Sequence, residues 1–112
     1  MGTFAKGDIV LFPFPYTDLT NRKLRPCLVI SNEMKEDIIL CQITSKNIQR
    51  DEHTIEIKQN ETIKGSLMID SYIRTNMLFT AATKQIQRKL CSITDRKYKE
   101  VVNSINKIIT KL

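Results

Sequence analysis

Apolar and polar positions change rhythm several times along this chain, and each rhythm predicts an element. Gly7-Asp8 opens the run Ile9-Val10-Leu11-Phe12, which Pro13 and Pro15 are expected to end because neither has an N–H for a sheet ladder. Residues 13–24 then read as a projecting loop, carrying Asp18, Asn21, Arg22 and Lys23 among turn formers. Residues 27–31 and 38–44 are uniformly apolar and β-branched, which predicts two central strands buried on both faces, joined by a polar hairpin connection. Thr54-Ile55-Glu56-Ile57-Lys58 alternates cleanly and predicts a half-exposed strand with Ile55 and Ile57 on one side. After Gly65, the stretch 71–80 gives another strand with one polar face, and 86–93 reads as a short strand, with a helix as the alternative, after a turn at Thr83-Lys84. The period then becomes helical: Tyr98, Val101, Val102, Ile105, Ile108, Ile109 and Leu112 line one face. Thr94 is placed to cap that helix, Asp95 suits its first turn, and Lys107 and Lys111 suit the negative end of its dipole.

Five or more short strands followed by one amphipathic helix imply a mainly β fold, an antiparallel barrel or strongly curled sheet capped by the C-terminal helix. The connections are too short for helical crossovers, so the pairing is expected to be antiparallel. No internal repeat or low-complexity linker divides the 112 residues, and a single domain over 1–112 is expected.

Composition narrows the chemistry. No apolar run approaches the roughly 20 residues that span a bilayer, and the charged N-terminus lacks a secretory core, so the reading is a cytoplasmic protein with no membrane association. Three widely spaced cysteines, Cys27, Cys41 and Cys91, sit in apolar surroundings and are expected to be reduced core thiols. With no C-x-x-C spacing and His53 as the sole histidine, the sequence asks for no metal and no cofactor. The net charge of +6 favours a polyanionic partner, although a solvated basic surface would account for it equally well.

Four segments, in order, carry a resemblance. They are Gly7-Asp8-Ile9-Val10 with the following Phe-Pro-Tyr-Thr-Asp-Leu, then 23–31 (KLRPCLVIS), then Cys41-Gln42-Ile43-Thr44-Ser45, and last 71–80 (SYIRTNMLFT). Together they resemble the MazF/PemK toxins. The resemblance implies an SH3-like barrel of the MazF/PemK/CcdB type and a homodimeric endoribonuclease cutting single-stranded RNA at short sequences. It further implies neutralisation by an acidic, partly disordered antitoxin.

Within that frame Arg25 is the leading catalytic candidate. Pro26 holds it extended at the mouth of the second strand, and a guanidinium can grip a phosphate through two parallel hydrogen bonds and stabilise a phosphorane. The resemblance pairs it with Thr44 of the Ile-Thr-Ser motif. Strand alternation sends Ser45 the other way, leaving it as a backbone clamp. RNA supplies its own nucleophile in the 2′-OH, so no Ser, Cys or metal hydroxide is needed. The expected products are a 2′,3′-cyclic phosphate and a 5′-OH, with modest help from Asp18. His53, in a polar loop, is read as solvated. Arg74 and Asn76 fall where some family members place an arginine and an acid; here the acid is an amide, and Ala81-Ala82 replaces a further acid. An acid role would then rest with Asp18, Asp70 or solvent. Lys23, with Arg22 and Lys46, is a candidate phosphate track, and Phe14 and Tyr16 are candidates for base stacking.

Two other functions fit the same pattern. A gyrase poison of the CcdB type acts through a C-terminal tryptophan, and this chain has no Trp. A non-catalytic RNA-binding module would share the barrel and the basic face, without turnover.

Overall fold

The computed structural model describes residues 3–15, 22–45 and 52–111. Seven strands, β1 (Asp8–Pro15), β2 (Arg22–Val29), β3 (Asp37–Thr44), β4 (Thr54–Ile57), β5 (Thr62–Ile63), β6 (Ser71–Ala82) and β7 (Arg88–Ile93), precede one helix, α1 (Asp95–Thr110). They form a single antiparallel sheet in the order β4-β6-β3-β2-β1-β7-β5. The two edge strands, β4 and β5, are joined only by residues 58–61, which include the 3-10 turn Gln59–Glu61. So short a link between opposite ends forces the sheet to curl into a nearly closed barrel.

Each face of the curled sheet carries an apolar cluster. Ile9, Leu28, Ile43, Ile57, Ile73 and Ile93 fill the inside and meet Val101 and Ile105 of α1, which caps the barrel. The other face of β1–β3 holds Val10, Phe12, Cys27, Val29, Ile38 and Leu40, covered by Ala81 and Ile86. This double burial is why β2 and β3 read as unbroken apolar runs, and both are central as expected.

The long strand β6 serves both clusters by changing face. Cys41 of β3 pairs with Leu78, but Ile43 pairs with Ile73, so two steps along β3 match five along β6. The three extra β6 residues form a bulge. Beyond it, odd-numbered Ile73 packs inside while Phe79 and Ala81 pack outside.

Several sequence expectations need correction. Pro13 and Pro15 do not end β1; they lie within it, opposite Leu24 and Arg22. Beyond Leu11, β1 no longer pairs with β7, so the missing N–H groups break no ladder on that side. The projecting loop is correspondingly shorter, since 13–15 and 22–24 form hairpin strands. For the same reason Arg25 and Pro26 lie inside β2 rather than at its mouth. The two-residue strand β5 was not anticipated; it pairs with the end of β7. Gly65 beyond it takes φ +131°, and a Cβ there would stand 2.3 Å from the Leu90 carbonyl oxygen. The ambiguous stretch 86–93 is strand, after a 3-10 turn at Thr83–Gln85.

In α1 the cap is as expected: the Thr94 hydroxyl oxygen accepts from the Lys97 N–H. The apolar stripe, however, is covered only over its first half. Val101 and Ile105 are buried, whereas Ile108 and Ile109 are exposed. Lys97 closes the seam beneath the helix. Its ammonium donates to the Glu56 carbonyl at 3.2 Å and pairs with Glu61 at 3.0 Å and Glu100 at 3.4 Å, spanning both edge segments. Among the described residues no helix is long and apolar enough to cross a membrane.

Candidate nucleic-acid site

Antiparallel register decides which polar residues share a neighbourhood. β2 and β3 are paired through only three positions, Cys27↔Gln42, Leu28↔Cys41 and Val29↔Leu40. The ladder stops one residue after Pro26, which has no N–H to extend it. Carried two residues further, the same register sets Arg25 opposite Thr44. Side-chain alternation agrees. Leu28 and Ile43 point into the barrel, so Arg25 and Thr44 both face outward, on the side of the sheet that holds Cys27, Val29 and Leu40. Arg25 is half-buried, Thr44 is buried, and neither residue lacks an interaction partner.

On one flank, Arg25 is paired with Phe12 and Lys23 with Phe14, so both cations stand beside aromatic residues of β1. The rings of Phe12, Phe14 and Phe79 meet edge-on or tilted at centroid distances of 5.3 to 5.7 Å. Phe14 is thus part of an aromatic packing group on a strand. Lys23 is exposed.

On the other flank the register brings in residues that sequence reasoning did not single out. Thr44 pairs with Tyr72, and Tyr72 pairs with Glu56 of β4. A cross-strand row therefore runs Arg25, Thr44, Tyr72, Glu56. Arg74, two residues along β6 on the same side as Tyr72, is half-buried opposite Thr54. Asn76 falls within the β6 bulge and is exposed, and Ser45 is exposed just past the end of β3. Asp70 accepts a hydrogen bond from the Gln59 N–H at 2.9 Å, which employs it in a turn. Tyr16, Asp18 and Lys46 lie outside the described residues, as does the side chain of Arg22. The alternation of 54–58 already turned Glu56 outward; its place in a row with Thr44 depends on the β3–β6 bulge, for which the sequence carries no signal.

The strands under this row are braced by two thiols, Cys41 from inside the barrel and Cys27 on the row's own face. The Cys41 Sγ–H donates to the Arg74 carbonyl at 3.0 Å, and the Cys27 Sγ–H lies 3.9 Å from the Arg25 carbonyl. Burial pushes the Cys41 thiol up to about 12, and burial together with the neighbouring Cys41 drives Cys27 up as well, so both remain protonated donors. His53 is half-buried, close to Glu52 at 3.5 Å, and its carbonyl accepts from the Thr75 hydroxyl; it stands apart from the row.

This geometry joins a guanidinium, a hydroxyl, a phenol and a carboxylate on one outward face. Such a set can bind a phosphate at its cationic end and a base at its aromatic positions.

Comparison with known proteins bears on this arrangement. Solved structures share the fold, among them the following three. One is an endoribonuclease in complex with its cognate antitoxin from a mycobacterial species, with TM-score 0.74 and 11% identity over 98% of each chain. A second is a MazE–MazF complex from Deinococcus radiodurans, at 0.75 and 14% over 97% of each. The third is the Mycobacterium tuberculosis toxin MazF-mt6, at 0.67 and 12% over 89% of this chain and 95% of that one. No curated protein sequence matches. A family model does, over residues 5–109, a span that takes in all seven strands and most of α1. The chain therefore belongs to the family of PemK-like, MazF-like toxins of type II toxin–antitoxin systems.

Proposed function

We propose that this protein is a ribosome-independent endoribonuclease toxin that cuts single-stranded RNA at short sequences, with Arg25 and Thr44 at its centre. The observation that carries this reading is the register that sets these two residues opposite each other on one outward face, where the β2–β3 ladder ends. Arg25 holds the two non-bridging oxygens of the scissile phosphate, and the Thr44 hydroxyl donates to one of them. The ribose 2′-OH loses its proton and attacks phosphorus, forming a new P–O bond. The 5′-oxygen bond breaks, and that oxygen leaves with a proton. The products are a 2′,3′-cyclic phosphate and a 5′-hydroxyl. The substrate brings its own nucleophile, so the reaction calls on no metal or cofactor. Asp18 and Ser45 assist in proton transfer or positioning, and Arg74 and Asn76 bind the chain around the cut. Lys23, Phe14, Tyr16 and Lys46 extend the RNA contact.

The toxin acts in the cytoplasm as a homodimer and is held inactive by an acidic antitoxin, to which the net charge of +6 is complementary. Support for the dimer comes from one end of the barrel. Lys97 lies over Glu56, which pairs with Tyr72, and Ser104 bonds Thr75, so α1 and β6 advance together. Beyond these contacts Ile108 and Ile109 of α1 stay exposed, as do Met77 and Leu78 of β6, which leaves apolar surface for a second copy.

Incubation with a long single-stranded RNA in the presence of a chelator, followed by mass spectrometry of the ends, tests the reaction. Cyclic phosphate and 5′-hydroxyl ends are expected from the wild type, and a loss of about a hundredfold or more in rate from Arg25→Ala. A 5′-phosphate would mean that water attacks instead. Binding without cleavage would identify the protein as an RNA-binding module.

A further inference from the structure

We propose that Tyr72 and Glu56 form the subsite for the base beside the scissile phosphate, with Tyr72 as the stacking surface and Glu56 as acceptor for an amino group on that base. The assignment rests on the reading of Arg25 and Thr44 as the phosphate site. Its origin is the bulge in β6. Had the Cys41↔Leu78 register continued, Thr44 would face Thr75. The three extra residues instead set Tyr72 beside Thr44 and turn Thr75 inward, where it is fully buried and its hydroxyl lies 2.9 Å from that of Ser104. Two interstrand spacings, about 10 Å, separate Tyr72 from Arg25, with Thr44 between them. A base attached to a phosphate held by Arg25 and Thr44 can reach a ring at that place.

Charge says which part of the RNA belongs there. Glu56, next in the row, would repel a second phosphate, so the far end of the row suits a nucleobase rather than the backbone. The Tyr72 ring is half-buried, and among the described residues its hydroxyl has no hydrogen-bond partner. Glu56 already has an interaction of its own, but a carboxylate offers about four lone-pair sites and can also accept from an exocyclic amino group such as cytosine N4. Uracil has no amino group, and its one Watson–Crick donor, N3–H, is flanked by two carbonyl oxygens that a carboxylate repels. The pair therefore selects an amino-bearing base and disfavours uracil at one position next to the cut, while stacking on Tyr72 tolerates any base.

A pool of single-stranded RNA with random bases, cut by the protein and sequenced at the new ends, reads the selectivity; kinetics on one oligonucleotide cut by the wild type read the stacking. Tyr72→Leu keeps apolar bulk and removes the ring; it should raise KM on the order of tenfold with kcat changed far less. Tyr72→Phe retains the ring and should recover most of that loss. Glu56→Gln should admit uracil at one flanking position, raising its share among the cut ends there several-fold over the wild type. An unchanged KM in Tyr72→Leu overturns the stacking role, and free acceptance of uracil by the wild type on both sides of the cut overturns the Glu56 role. If the wild type binds RNA without cutting it, the phosphate reading fails first. The base subsite is then judged by equilibrium binding, where Tyr72→Leu should weaken affinity on the order of tenfold and an unchanged affinity overturns it.

Discussion

Burial keeps all three thiols of this protein protonated, and that has a measurable consequence. Cys27, Cys41 and Cys91 are free and fully covered, and desolvation leads the upward shift of each. The thiolate is the reactive species, so the native protein should not react with a thiol reagent at mildly alkaline pH, whereas denaturant should expose all three. Rapid labelling of the native chain would contradict the buried placement. These cysteines were legible from their apolar surroundings. Tyr72 and Glu56 were not. Each could be assigned to a polar face by alternation, but their place beside Thr44 follows from three extra residues in β6, and no spacing in a single strand reveals the register of its partner.

Among the elements, the helix was the most legible because its period and its Thr94 cap agree. The edges of β1 and β2 were misread for a physical reason: proline signals a missing donor, yet only a paired side of a strand needs one. The three-dimensional fact that β1 loses its β7 neighbour after Leu11 is what admits Pro13 and Pro15. Lys97 is the other feature that required coordinates: Glu100 lies one turn along α1, but Glu61 belongs to the link between β4 and β5, distant in sequence. For Glu61, the bond from the Lys58 N–H leads a downward shift from 4.5, opposed by burial and aided by Lys97. For Lys97, burial works against the charge, but Glu61 and Glu100 outweigh it and raise its pKa above 10.5. A lowered acid stabilises the fold above its unfolded value and ceases to as pH falls through its folded value. A raised base stabilises below its unfolded value and ceases to as pH rises through its folded one. The clasp should therefore contribute across the neutral range, from above 4.5 up to 10.5. Urea midpoints of Glu61→Gln should lie below wild type at neutral pH and merge with it in acid. A difference that persists in acid would show that the carboxylate charge is not what matters.

At the scale of the whole molecule, the link between β4 and β5 closes the barrel, and the alternation of apolar runs made that fold class readable before any coordinates. The length of the covered helix stripe was not readable, since periodicity cannot tell a surface packed on its own barrel from one left for a second copy. Ile109 is 68% exposed, which decides against the former. If this end joins two copies, Ile109→Lys should shift the sedimenting species from dimer to monomer while leaving the unfolding midpoint of the separated chain near that of the wild type. A variant that remains dimeric would place the dimer elsewhere. The central claim, however, is that Arg25 and Thr44 act on one phosphate, and a double-mutant cycle in single-turnover RNA cleavage tests it most directly. Arg25→Ala should cost about a hundredfold or more and Thr44→Val about tenfold. Because both groups hold the same phosphate, the double variant should be scarcely slower than Arg25→Ala alone. Losses that multiply in full would show that the two side chains act apart, and would contradict the shared site.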